Sequence, residues 1–287
     1  MVLLSKKIKV TLPQNIYEII KNDIDDFNMT SNHFMNYIFL NLNEKYKNFK
    51  GNPTIAEQSK EKSSIQFNLN KASNLIYYDV LIENNAQNES EFMRSLLIRY
   101  ATNPKNKREL FIFKEFVERL NLAIKDKKNV YVTFNDNRKV KVSPYHIGSS
   151  DLEIANYIFC YDYSEEKYKN YKLNYLKQVY TTSESGNWKD EKYINDVIKN
   201  FDPFLSKGQV IKIRLSEKGK KLFKAIKINR PKLISENGDI FEFEASEEQI
   251  KRYFTYFLDE ATVIEPIELK EWFIEKYENA LKNLKNN

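Results

Sequence analysis

One cysteine, Cys160, in 287 residues leaves no internal disulfide and no multi-cysteine metal site. Six glycines and seven prolines exclude collagen-like and low-complexity material. No apolar run approaches the ~20 residues that span a bilayer. The opening stretch, MVLLSKKIKV, meets its lysines too soon for a signal peptide. A soluble, cytoplasmic protein is expected. The two histidines, His33 and His146, are too few and too scattered for a catalytic constellation. Metalloprotease, paired-cysteine, Gly-rich phosphate-loop and nucleophile-elbow motifs are absent. Cys160 lacks an activating charge beside it and reads as buried, and Asp25-Asp26 and Glu247-Glu248 read as helix-surface pairs. No enzymatic activity, metal or cofactor is expected.

What the chain has is 41% hydrophobic and 14% aromatic residues, enough for two or three cored domains. Its net charge of +6 is mild but unevenly spread. Residues 105–182 carry 15 basic and 10 acidic side chains, and positions 207–232 carry ten basic residues against Glu217 alone. Segregation of this kind can attract polyanions where the total would not.

The first third repeats itself. Ile8, Val10 and Leu12 alternate with Lys7, Lys9 and Thr11, which predicts a strand. Pro13 ends it, and Ile16, Ile20, Ile24 and Phe27 recur at helical spacing. After Asn28, a cap at Thr30 or Ser31 opens a second helix. The same order returns with Ile65, Phe67 and Leu69 against Ser64, Gln66 and Asn68, and with Asn88 as the second cap. Neither strand is stable alone, so the two are expected to pair antiparallel within the chain, joined by a polar tether over 44–63. This resembles the ribbon–helix–helix fold of DNA-binding repressors. The resemblance implies that Lys7, Lys9, Thr11, Ser64, Gln66 and Asn68 face a major groove, with helix starts near Thr30 and Asn88 on phosphates.

After an amphipathic helix over 108–127 come short strands: 130–134, 138–147, 156–163 and 168–182. Three pieces of them, in order, resemble the WYL domain, an Sm/SH3-like β-barrel of bacterial regulators. Val142-Ser143-Pro144-Tyr145 fits its Val-x-Pro strand. Asn156-Tyr157-Ile158 stands where the family has Trp-Tyr-Leu, completed by Tyr161-Asp162. Lys169-Asn170-Tyr171-Lys172-Leu173-Asn174-Tyr175-Leu176 occupies the place of its arginine-rich segment. Lysine replaces arginine twice, which weakens rigid bidentate reading of a small anion but suits a groove along a nucleic-acid backbone. The candidate barrel site is therefore Arg138, Lys141, Tyr145, Tyr157, Lys169, Lys172 and Tyr175.

The last hundred residues predict β-α-β-β-α-β-α, with Asn237-Gly238 as a hairpin turn and Ser246 opening a capping box. With Glu265-Pro266-Ile267-Glu268-Leu269, this resembles the extension that follows WYL domains and commonly dimerises them. The expected fold is α+β: a ribbon–helix–helix-like head (1–104), a linker helix and WYL barrel (105–182), and an α/β extension (183–287). The resemblance implies a nucleic-acid-responsive transcriptional regulator. The same combination also resembles accessory proteins of type VI CRISPR systems, which bind single-stranded RNA and stimulate an RNA-guided RNase. A pure oligomerisation adaptor is the third reading. Expected partners are single-stranded RNA or DNA or operator DNA, a second copy of the chain, and in the accessory reading a CRISPR effector protein; no membrane is expected.

Overall fold

The computed structural model describes residues 6–42, 59–150, 154–199, 201–206 and 209–286, so most of the expected tether lies outside the described residues. The chain is mixed α/β with antiparallel sheets, in two compact units, Met1–Lys189 and Asp190–Asn287.

The first unit opens with strands β1 (Lys7–Pro13) and β2 (Lys62–Asn68), paired antiparallel with Val10 opposite Ile65. Two helices follow each strand: α1 (Gln14–Asp26) and α2 (Ser31–Leu42), then α3 (Lys71–Glu83) and α4 (Glu89–Ala101). The inner ribbon side chains, Ile8, Val10, Leu12, Ile65 and Phe67, are buried beneath the helices. The repeat is visible in register. The buried positions of α1 (Ile16, Ile20, Asp23, Ile24) and α3 (Ser73, Tyr77, Val80, Leu81) coincide after one constant shift. Asn28 and Asn85 break the two units alike, at φ 52° and 50°, a left-handed conformation that asparagine tolerates.

The linker departs from the single helix expected over 108–127. It forms α5 (Lys105–Ile112) and α6 (Lys114–Lys125), divided at Phe113. The Phe113 ring meets the edge of Phe27 at 5.5 Å and stacks on Phe116 at 5.8 Å. Aromatic packing against the head thus sets the break. Arg108 of α5 grips Asp23 of α1 through Nε at 2.6 Å and Nη2 at 2.9 Å, while Tyr100 donates to the same carboxylate at 2.7 Å.

Five strands follow: β3 (Lys128–Phe134), β4 (Lys139–Ser150), β5 (Ala155–Asp162), β6 (Lys167–Lys172) and β7 (Leu176–Ser185). Their order is β6-β5-β4-β3-β7, all antiparallel. The strand spacing fits a closed or strongly bent sheet and the WYL resemblance implies a barrel, but the sheet is open. β6 ends after six residues, and a one-turn helix at Leu173–Tyr175 carries the chain to the free side of β3. β7 therefore forms the far edge rather than meeting β6. Bulges at Pro144/His146 and Thr133/Phe134 bend the sheet. One sheet face (Val130, Val132, Val140, Val142, Ile158, Cys160) joins the same hydrophobic core as the head.

In the second unit, α7 (Glu191–Lys199) precedes a four-stranded sheet of order β11-β8-β10-β9. Its strands are β8 (Val210–Leu215), β9 (Lys232–Asn237), β10 (Ile240–Glu244) and β11 (Ala261–Glu265). Helices α8 (Glu217–Ala225), α9 (Glu247–Phe254) and α10 (Ile267–Lys285) complete it. Phe223, Phe241, Phe243, Phe254, Phe257 and Phe273 build its core. The hairpin lies one residue later than expected: Asn237 still pairs with Ile240, leaving Gly238-Asp239 as the loop. Gly238, at φ +63°, holds the first loop position. Ser246 caps α9 by accepting from Gln249 N at 3.3 Å. Gly219 of α8 is irreplaceable, because a Cβ there would sit 2.3 Å from the Glu260 carbonyl oxygen.

Candidate nucleic-acid interface

Strict alternation along the ribbon sends three cross-strand pairs outward: Lys7 opposite Asn68, Lys9 opposite Gln66, and Thr11 opposite Ser64. Thr11 Oγ1 and Ser64 Oγ lie 3.1 Å apart, and all six side chains are exposed or half-buried. Helix α4 supports the ribbon from behind, with Arg94 Nε donating to Thr11 O at 2.7 Å and Ser90 Oγ to Lys9 O at 2.9 Å. The two helix starts differ. At α4, Asn88 Oδ1 accepts from Ser90 N and Glu91 N, and Glu89 and Glu91 fill the first turn, a poor setting for a phosphate. At α2, Thr30 Oγ1 accepts from His33 N at 3.2 Å with no acid in the first turn.

The sheet divides the barrel candidates between its faces. Period-2 alternation puts Lys169 beside Cys160 and Lys172 beside Tyr157, on opposite sides of β6. On one face, Arg138 lies 4.5 Å from the Phe134 ring centroid and 5.9 Å from that of Tyr171, with Lys169 5.4 Å from Tyr171. Lys169 is ion-paired to Glu165. The Tyr171 hydroxyl donates to Asp162, which also accepts from Ser164 N at 2.7 Å and Ser164 Oγ at 2.6 Å. Burial opposes the Asp162 charge, yet these hydrogen bonds hold its carboxyl below the ordinary range. On the other face, Lys172 Nζ lies 5.8 Å over Tyr157.

Tyr145 and Tyr157 are 2% and 5% exposed, so neither offers an open face to a base; burial pushes the Tyr145 hydroxyl well up. Tyr175, 53% exposed, stands apart on the one-turn helix. Cys160 is fully enclosed, and desolvation raises its thiol. Asn156, where the WYL resemblance leads one to expect Trp, is buried in a polar socket. Its backbone N donates to Glu109 Oε2 at 2.8 Å, its Nδ2 to Asn106 O at 2.9 Å, and Ser149 Oγ donates to its Oδ1 at 2.6 Å.

Half-buried aromatics gather in a cleft of about 380 Å³ lined by Tyr161, Tyr163, Glu166, Gly186, Asn187, Trp188 and Lys189. Tyr161 meets Tyr163 edge-on at 5.3 Å, and Trp188 meets Tyr145 at 4.9 Å. Lys141 Nζ sits 5.1 Å from Tyr163, and Lys127 Nζ 4.7 Å from Trp188. Lys141 is also paired with Glu184. The strap 186–188 is pinned to the sheet: Gly186 N donates to Lys127 O at 2.8 Å, Asn187 N to Ser143 Oγ at 2.8 Å, and Asn187 O accepts from Tyr145. A Cβ at Gly186 would lie 3.1 Å from the Trp188 indole nitrogen and 3.3 Å from Lys127 O, so glycine lets the strap lie this close. Trp188 falls in the segment that the sequence assigns to the extension and is absent from the candidate site residues. Its scarcity, as one of two tryptophans, is the signal that was there.

No family model and no curated protein matches the chain. Among solved structures it is similar to a crystal structure of a CRISPR Cas-related protein, at 17% identity and a TM-score of 0.72, over 100% of this chain and 96% of that one. At that identity the likeness establishes a shared fold. It also aligns with proteasome accessory factor B/C of Arthrobacter aurescens at 10% identity, over 94% of this chain and 49% of that one, but the TM-score of 0.32 is too low to bear on the fold.

Proposed function

We propose that this protein is a CRISPR-associated accessory protein of WYL type, with a ribbon–helix–helix head, that binds single-stranded nucleic acid as a homodimer and catalyses no reaction. The observation that carries this reading is the Tyr161–Tyr163–Trp188 cleft with Lys127 and Lys141 at its rim. Ring faces stack bases of any identity, and lysines neutralise the backbone beside them. The full-length likeness to a CRISPR Cas-related protein supports the setting. The bent five-stranded sheet, with a one-turn helix before its last strand, supports the WYL assignment. The polar socket that Glu109 builds around Asn156 fits a member without the Trp. Dimerisation is supported by α10, where Ile267, Ile274 and Leu281 are exposed at heptad spacing.

The test is fluorescence anisotropy with labelled single-stranded RNA and DNA across a salt series. Trp188→Ala with Tyr163→Ala should weaken binding by about 1–3 kcal/mol per lost stack and leave the salt slope unchanged. Lys127→Ala with Lys141→Ala should flatten the slope by about 1.4, two phosphates at about 0.7 each. Wild-type binding by both folded variants would eliminate the cleft as the site. A second reading, a regulator that reads duplex DNA, is favoured by Lys7 and Lys9 standing exposed on the ribbon.

A further inference from the structure

The internal repeat supplies its own control for the outer face of α3. With the buried positions of α1 and α3 superposed, Leu75, Tyr78 and Ile82 fall where α1 carries Glu18, Lys21 and Asp25. The α1 positions are those of an ordinary solvated helix face. Their α3 counterparts are 62%, 59% and 73% exposed, although they are large and apolar. Spaced at i, i+3 and i+7, they form one stripe. Isolated exposed apolar residues need no explanation, but a contiguous stripe marks an interaction surface.

The flanks of the stripe define what it fits. Lys6 closes one side, bonded to Tyr78 and paired with Glu89. Asp79 and Glu83 line the other, both exposed and neither in an ion pair among the described residues. The first repeat shows how such an edge is met. Asp26, the counterpart of Glu83, is paired with Lys105 of α5, and one turn earlier Asp23 takes Arg108. A helix with basic residues and apolar side chains is thus already seated on the equivalent edge of α1. A second copy of α3 laid antiparallel on the stripe would instead bring Asp79 and Glu83 against their own equivalents, which like-charge repulsion disfavours.

We propose that the outer face of α3 docks an amphipathic helix of a partner protein, with apolar residues three and four apart and Lys or Arg along one edge. The test uses the full chain and two synthetic helices of about 18 residues, long enough to be helical alone. They share a leucine stripe and differ only in Lys or Glu along one edge. Calorimetric titration should show the Lys-edged helix binding and the Glu-edged one at least tenfold weaker. Leu75→Ser with Ile82→Ser should remove binding without lowering the melting temperature, because both side chains are solvated. Asp79→Lys with Glu83→Lys should reverse the preference between the two helices. Absence of binding, equal binding of both, or an unreversed preference overturns the proposal. So does a fall in the chain's own mass on sedimentation when Leu75 and Ile82 are replaced, which would mean a second copy covers the stripe.

Discussion

Glu109 is 2% exposed and accepts two hydrogen bonds from Asn156. Burial raises its carboxyl above the ordinary 4.5, and the Asn156 bonds pull it only part of the way back. The folded chain therefore binds this proton more tightly than the unfolded chain does. Below about 4.5 the group costs nothing, and stability falls as the pH rises toward the folded value. Glu109→Gln keeps an acceptor for Asn156 and removes the charge. It should raise the melting temperature at pH 7 and give no gain near pH 4 in scanning calorimetry. The buried Asp23 carboxylate is matched by the Arg108 fork. Arg108→Ala leaves a buried carboxylate without its cation and should cost about 3–5 kcal/mol in urea unfolding, whereas Asp23→Leu with Arg108→Leu should cost markedly less.

Among the elements, the ribbon was the most legible. Its alternation, its partner strand and both Asn breaks follow from local rules, because side-chain direction in a strand depends only on position. If the ribbon meets duplex DNA, Lys7→Ala with Lys9→Ala should lower the salt slope by about 2 in a gel-shift series. An unaltered slope would assign duplex binding elsewhere. β6 was less legible for the same reason turned around. Lys169 and Lys172 were grouped as neighbours in sequence, yet an odd separation puts them on opposite faces. The break at Phe113 lay beyond local reading, since the amphipathic spacing continues through it and the Phe27 ring that Phe113 packs against is distant in sequence.

For the whole molecule, α10 presents a testable face. Ile267, Ile274 and Leu281 stand exposed in one seam along it, with Lys282 and Lys285 in its last turn. A second copy seated on this seam would remove the three side chains from water. Ile274→Glu with Leu281→Glu should give a monomer by light scattering, while a persistent dimer would place the interface elsewhere. The sequence by itself determined the repeat, the antiparallel strands, the helix caps and the absence of any membrane-crossing helix among the described residues. Those features depend on periodicity, on contacts a few residues apart and, for the ribbon, on each strand's need for a partner. Only the tertiary structure decided that Tyr145 and Tyr157 are interior, that the sheet stays open, and that a strap bearing Trp188 completes the aromatic cleft. Each is a matter of which distant segment covers which face. Alternation shows that a strand has two faces; it does not show what lies across from them.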